Sequence, residues 1–455
     1  MRARAGALVL ALGASALGPG PAAAQGDATP SPLRFEEAVQ VALERSPVYQ
    51  RQLNAVTMAE YGERSSFGTA FLPNLSASLG FNGSTFRRKT AEDDFGNPIG
   101  GTEYVENTTS STSQGLGSGV TLLDLRSWRA YGQALSQTAF QEAAAALGAA
   151  RLRTQVGQAY FDALRADRLI AVEERQLESA RRQLTATQEL LRLAAKQPTD
   201  VLGAELQVSQ AEQSLQQAVG AARKARLQLK QTMGVSLQAT YELASDFPPV
   251  FDPGDLNHDA LIERALRESP SLLQQTAQLE SAERGLSVAR AARFPTISGN
   301  ASWGRSTNAR DYEAFRELTP PNQSWGFGFS VSVPLFSRFS ASSQIGRAAM
   351  EVRNAEESVR EARLQLEREA RAAVIDLESA YTSVRLAERS AEIARSRLTQ
   401  GEELYRLGSI GYTELQRMFD DVARAERGVV SAYAQFAYAL LQLEEKVGGP
   451  LERTP

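Results

Sequence analysis

The chain has 455 residues, 42% of them apolar, with 49 basic and 53 acidic side chains, a single histidine and no cysteine. Disulfides, thiolate metal sites and cysteine nucleophiles are thereby excluded, and a formal charge of −4 without any basic stripe gives no electrostatic ground for a nucleic-acid partner. Past the first two dozen residues no run of about 18 apolar residues occurs, so a membrane crossing has to use β-strands, whose signal is alternation.

In chain order, residues 1–24 read as an export signal: Arg2 and Arg4, an apolar run from Ala5 to Leu17, then Ala22-Ala23-Ala24, with the mature chain expected to begin near Gln25. Phe35 to about Gly68 has helical composition and spacing, broken early at Ser46-Pro47, where proline ends one helix and starts another. Pro73 marks a change of period. Leu75, Ala77, Leu79 and Phe81 alternate with Ser76, Ser78, Gly80 and Asn82, and after a polar loop expected over Thr85 to Ser113, Leu116, Ser118, Val120 and Leu122 alternate with Gly115, Gly117, Gly119 and Thr121. Ser127 to Leu193 contains no proline. Ile170, Leu177, Leu184 and Leu191 recur there every seven residues with small residues at Ala180, Thr187 and Ala194, the pattern of a tightly packed coiled coil. A helix of about 65 residues is roughly 100 Å long. A break at Ala194 to Pro198 precedes a second helix from Thr199 to Met233, and Val235 to Asn257, with three prolines, reads as a linker that could carry a short strand.

The whole order then returns. Glu36 to Pro47 matches Asp259 to Pro270 at an offset of 223, superposing Ser46-Pro47 on Ser269-Pro270; Phe71-Leu72-Pro73 matches Arg293-Phe294-Pro295. After Pro295, Ile297, Gly299, Ala301 and Trp303 alternate with small polar residues, as do Trp325, Phe327, Phe329, Val331 and Val333 after a loop expected over Ser306 to Asn322. A second long helix from about Ala341 to Leu407 carries Val384, Ala391, Leu398 and Tyr405 at the heptad positions, and Leu191-Arg192-Leu193 with Thr199-Asp200 matches Tyr405-Arg406-Leu407 with Thr413-Glu414, now at an offset of 214. One folding unit is used twice: residues 25–257 form the first copy, 258–447 the second, and 448–455 a C-terminal tail.

In each copy the two moderate helices laid end to end match the length of the long one, so each copy builds an antiparallel helical pair, giving four columns per chain. Four strands of about ten residues could form a small soluble sandwich, or one share of an outer-membrane barrel with lipid outside, Trp303 and Trp325 lying where an aromatic girdle belongs. Four strands cannot close a barrel, whose minimum is about eight; three chains would supply twelve.

On the duplication, the two Ala-Leu-x-x-Ser-Pro openings, the proline-led strands and the two Leu-x-x-x-x-x-Thr-Asp/Glu turns, the chain resembles the TolC-type outer membrane efflux proteins over nearly all of its mature length. The resemblance implies a mainly α fold with a membrane β-barrel: a homotrimer with a twelve-stranded barrel in the outer membrane continued by an α-helical tunnel through the periplasm. It implies a passive exit duct of a tripartite efflux or type I secretion system, opened when a periplasmic adaptor and an inner-membrane pump dock, with outer-membrane lipid around the barrel and no cofactor, metal or catalytic residue. The breaks between helices become the tunnel tip, with Arg192, Leu193 and Ala194, and Arg406, Leu407, Gly408 and Ser409, facing the adaptor. Gly408 suits a turn that needs positive φ, whereas Ala194 departs from the glycine usual there. The same alignment puts Asp200 and Glu414 at the pore constriction; alternatively Thr199 and Thr413 are helix N-caps and the two acids merely sit on the positive helix ends. A second acidic ring found in some relatives meets Arg417 here.

His258 stands alone beside Asn257 and Asp259 at a helix start and is expected at the surface or in a cap. The glycines from Gly115 to Gly119 lack the Lys-Ser/Thr of a phosphate loop and alternate as a strand, and no nucleophile–base pair is recognisable, so an enzyme is not expected. A soluble periplasmic coiled-coil adaptor or structural rod remains the alternative to a channel, since it too would use long heptad helices.

Overall fold

The computed structural model describes residues 32–89, 93–95, 104–193, 197–244 and 246–451. The expected export signal, Ala194 and Lys196 at the first tip, and residues 452–455 lie outside them.

Both repeats fold in the same order. The first runs α1 (Phe35–Arg45), α2 (Pro47–Phe71), β1 (Asn74–Lys89), β2 (Tyr104–Asp124), α3 (Leu125–Arg192) and α4 (Pro198–Met233). The second runs α5 (His258–Glu268), α6 (Pro270–Ala291), β3 (Thr296–Arg310), β4 (Asn322–Ser332), α7 (Ser340–Arg406) and α8 (Tyr412–Val447). The proline punctuation works as its chemistry requires: Pro47 and Pro270 each occupy the first turn of a helix, where no N–H is needed, and Ser46 and Ser269 hold the same extended backbone at φ −63°. At the other end of the unit Gly234 and Gly448 take φ of +73° and +87° as helix C-caps, and a Cβ there would collide with the carbonyls of Arg45 and Glu268 respectively. These four residues form one contact, made twice.

α3 and α7 contain 68 and 67 residues, about 100 Å of continuous helix each. α2 and α4 complete one column beside α3, and α6 and α8 complete another between α3 and α7, so the four columns stand in the order α2/α4, α3, α6/α8, α7. Two cores sit at mid-height where the short helices α1 and α5 pack inward: Val39, Val156, Tyr160, Leu229 and Met233 in one, Ile262, Leu377, Phe436, Leu443 and Val447 in the other. The linker contributes one parallel bridge, Leu33 to Leu243, and the Tyr160 hydroxyl donates to the Leu33 carbonyl at 2.9 Å. His258 opens α5, with Asn257 as the N-cap, and places Nε2 3.2 Å from the Pro253 carbonyl oxygen, a structural latch in the linker.

The strands form one antiparallel sheet in the order β1-β2-β3-β4. Its register sorts side chains sharply by face. One face carries Leu75, Leu116, Trp303, Trp325, Phe327 and Phe329, most of them exposed, while on the other face Ser76, Gly117, Ser302 and Gly326 fall in one row and Asn74, Gly119, Asn300 and Gly328 in another. Trp303 and Trp325 pair directly across β3 and β4, and the Gln323 amide oxygen, in the orientation that satisfies both indoles, accepts from them at 2.8 and 3.2 Å.

The strands are longer than alternation predicts. β1 and β2 span 16 and 21 residues, and the ladder continues to Lys89 opposite Tyr104, through residues 85–89 and 104–113 that read as loop. Above the apolar belt most side chains on both faces are polar, with Phe86 and Tyr104 as exceptions, so period-two hydrophobicity vanishes although pairing does not; Ser84 with Thr109 and Thr85 with Thr108 join hydroxyls across the ladder at 3.0 Å. The second expected loop likewise shortens to a 3₁₀ turn, Glu313–Arg316, which folds against Phe81, Thr112 and Gly83. Among the described residues no helix is long and apolar enough to cross a membrane.

Candidate functional site: the helical tip

Far from the sheet, the two helix–helix turns repeat one another. Arg192 pairs with Glu189 at the end of α3, and Arg406 with Glu403 at the end of α7. The residues that follow, Leu193 and Leu407, are 75% and 74% exposed, which leaves two large apolar side chains in solvent at the extremity of the molecule. Gly408 takes φ +77°, and its N–H and that of Ser409 donate to the carbonyls of Tyr405 and Leu404, so α7 ends in a Schellman turn that a side chain at 408 would strain. Ala194, the residue expected to differ, lies outside the described residues.

The expected threonine caps are not formed. The N-caps are Gln197 and Gly411, so Thr199 and Thr413 fall at the second helical position and Asp200 and Glu414 at the third. Pro198 explains the shift in α4: proline is favoured at the first helical position, and the cap therefore precedes it. Both acids remain in the first turn, where the helix dipole favours negative charge. Their surroundings differ. The Glu414 side chain is exposed and makes no hydrogen bond or ion pair among the described residues, whereas Asp200 is half-buried near a pair of tyrosines.

Of that pair, heptad periodicity singled out Tyr405 but not its partner Tyr412. Tyr405 on α7 and Tyr412 on α8 are buried with ring centroids 6.1 Å apart, and with Ala204, Leu415 and Phe419 they form the tip's own small core. Burial, then Tyr405, Asp200 and Asp420, pushes the Tyr412 phenol up to about 12; burial, the largest effect, also raises Tyr405, against the Thr187 hydroxyl beside it. Tyr412 lies against α4 at Gly203, and one turn further Gln207 accepts from Gln416 at 3.2 Å and donates to Asp420 at 3.5 Å. Thus α8 is tied to α4, a helix of the other repeat. At the position of the second repeat equivalent to Gly203, 214 residues further on, stands Arg417. Asp421 is committed elsewhere, to Arg397 and Arg424.

Higher up, α8 is gripped from both sides. Arg427 makes a two-pronged bond to the buried Glu173 carboxylate of α3 at 2.6 and 2.9 Å, and the adjacent Glu426 pairs with Arg395 of α7 at 2.9 Å. The arrangement offers a long helical wall, a sheet with an apolar exposed face, and a narrow end held by contacts between helices.

Comparison with known proteins agrees with that anatomy. The family model described as outer membrane efflux protein matches twice, over residues 38–235 and 261–449, one match per repeat. The chain belongs to this family of outer membrane channels. Protein CyaE of Bordetella pertussis is 28% identical over 327 residues, 69% of this chain and 66% of that protein, just under two thirds of its length. The fold matches the CmeC outer membrane channel of Campylobacter jejuni with a TM-score of 0.72 at 15% identity, over 92% of this chain and 87% of that one. It also matches the Neisseria gonorrhoeae MtrE outer membrane channel, solved in its open state, with a TM-score of 0.69 at 19% identity, over 92% and 90%. An efflux or secretion channel of the outer membrane, reaching into the periplasm, is the class so defined, and the soluble-adaptor alternative falls with it.

Proposed function

We propose that three copies of the chain form a closed exit duct, a twelve-stranded barrel above a twelve-column tunnel, which a periplasmic adaptor and an inner-membrane pump open from below. The observation that carries it is that the chain is an open segment: β1 and β4 each lack a neighbour on one side, four strands cannot close, and the sheet's apolar face is exposed in a single copy. In this reading Asp200 and Glu414 ring the constriction, three of each. Arg192, Leu193 and Ala194, with Arg406, Leu407, Gly408 and Ser409, meet the adaptor; the exposed leucines at both turns suit such a contact. The repeats divide the chain at 25–257 and 258–447 after a cleaved signal of 1–24.

Membrane fractionation with electrophoresis tests the duct. A heat-modifiable trimer in the outer-membrane fraction is expected, with a low conductance in planar bilayers; a monomer recovered from the soluble periplasm would overturn it. An autonomous porin, by contrast, would conduct fully without any partner.

A further inference from the structure

The repeat makes the missing neighbour computable. Within the chain α3 touches α4 on one side and α8 on the other, whereas α7 touches α8 but, among the described residues, has no helix on its far side. Since α4 and α8 are equivalent at an offset of 214, the helix that completes α7 is an α4, and it has to come from a second copy.

The contacts themselves obey this offset. Arg181 pairs with Glu212 between α3 and α4, and the residues 214 further on, Arg395 and Glu426, pair between α7 and α8. Between α3 and α8 three further contacts are made: Tyr438 donates to Asp162 at 2.6 Å, Arg175 lies 3.7 Å from Glu426, and Leu441 packs where a Cβ on Gly157 would stand. Moved by 214, the first becomes Lys224 opposite Asp376 and the second Glu212 opposite Arg389. The side chains of Lys224 and Asp376 are exposed, carry opposite charge and form no hydrogen bond or ion pair among the described residues. Burial tells the same story. Val172 on α3 is 2% exposed and its counterpart Leu386 on α7 is 67% exposed; Leu441 on α8 is 4% exposed and its counterpart Leu227 on α4 is 45% exposed. The same positions are covered where the next unit is present and bare where it is not.

We propose that α7 of one copy receives α4 of the next in the register in which α3 receives α8, so that Lys224 of one copy pairs with Asp376 of its neighbour and Glu212 with Arg389. The occupant of the bare α7 face is a second copy of this chain, chosen by complementary charge and by continuity with a contact the chain already makes. The seam is not a perfect copy. Glu173 and Arg427 become Ala387 and Gln213, so the two-pronged clamp inside each chain has no counterpart between chains.

The inference rests on the channel reading, since it needs more than one copy, and the test separates the two. The chain has no cysteine, so Lys224→Cys with Asp376→Cys, and separately Glu212→Cys with Arg389→Cys, can be introduced into the full chain and treated with a short bis-maleimide in detergent. Two-chain and three-chain bands are expected from each double variant and from none of the single ones. A trimer by light scattering that gives no such bands overturns this register and leaves the channel reading standing; a monomer by light scattering in the unaltered chain overturns both. As a second measurement free of cross-linker, Asp376→Lys should lower the trimer's resistance to dissociation and the Lys224→Asp/Asp376→Lys swap should restore it. A swap that dissociates as readily as the single variant would count against the pair.

Discussion

Gly203 and Tyr412 occupy one space. A Cβ on Gly203 would stand 2.6 Å from Cε1 of the Tyr412 ring, so α4 and α8 approach at the tip only because position 203 has no side chain. Glycine inside a helix costs about 1 kcal/mol relative to alanine. The contact it permits joins the first repeat to the second, beside the half-buried Asp200.

Replacing Gly203 with alanine or leucine therefore removes a helix penalty and creates a collision. Overpacking a filled site costs about 1–3 kcal/mol, which outweighs the gain in helix propensity, and Tyr412 is expected to leave its seat. Conductance in planar bilayers should rise for Gly203→Leu more than for Gly203→Ala. Equal, unaltered traces from both would mean the ring does not hold the tip.

The acids at the third position of α4 and α8 predict a cation preference. In the proposed trimer, Asp200 and Glu414, both in the first turn of their helices, would place up to six carboxylates at the narrow end, a field that favours cations. Asp200→Asn with Glu414→Gln should shift the reversal potential in a salt gradient toward zero, and alanine at both positions should also raise the conductance. Unchanged selectivity would remove these residues from the constriction.

How much of this was legible in the sequence depends on what each feature needs. Pro47 and Pro270 declare helix starts because their ring acts locally, whatever surrounds them. The heptads named the buried face of α3 and α7, yet periodicity says that a face is covered and not by what; hence the tie from Tyr412 to Gly203, between helices of different repeats, was invisible. Thr199 looked like a cap because capping propensity was read without Pro198, which moves the cap back to Gln197; at the second turn the cap falls on Gly411, two residues before Thr413, with no proline to mark it. Thr85 opposite Thr108 looked like loop because hydrophobic alternation detects a strand only where one face leaves water.

The tip tyrosines predict a pH response at the alkaline end only. An ordinary tyrosine ionises near pH 10, and Tyr412 is held up to about 12, mainly by burial. A raised folded pKa means that the neutral phenol's contribution is complete below about pH 10 and is lost as the pH rises toward 12, when a phenolate beside Asp200 and Asp420 repels them. Conductance should be flat through neutral pH and climb in that window. Tyr405→Phe/Tyr412→Phe should flatten the climb while other tyrosines still titrate; an identical climb would place the response elsewhere.

At the second turn, Gly408→Ala tests docking without touching the barrel. Nothing stands within 4 Å of a Cβ built there, so the substitution meets no neighbour, and its effect comes from the backbone: φ +77° costs an L-residue about 1–2 kcal/mol. That strain distorts the turn carrying Leu407 and Ser409 and leaves the mid-height cores alone. The variant should assemble and melt as the unaltered trimer does, yet pull down less adaptor. Full adaptor recovery would argue against this turn as the docking surface.

Glu173 and Arg427 supply a stability prediction with a built-in asymmetry. The Glu173 side chain is only 6% exposed, whereas that of Arg427 is 43% exposed. Deleting either partner breaks the same two hydrogen bonds but strands a different charge. Arg427→Ala leaves a buried carboxylate unpaired, at about 3–5 kcal/mol. In Glu173→Ala the guanidinium that remains can still reach water, and the loss should be closer to that of a charge-assisted hydrogen bond, about 1.5–3 kcal/mol. Thermal melting of the trimer should rank Arg427→Ala below Glu173→Ala, with the apolar pair Glu173→Met/Arg427→Met above both, since removing the charge and its partner together leaves nothing stranded. If the single variants melted alike, burial of the carboxylate would not be what sets the cost.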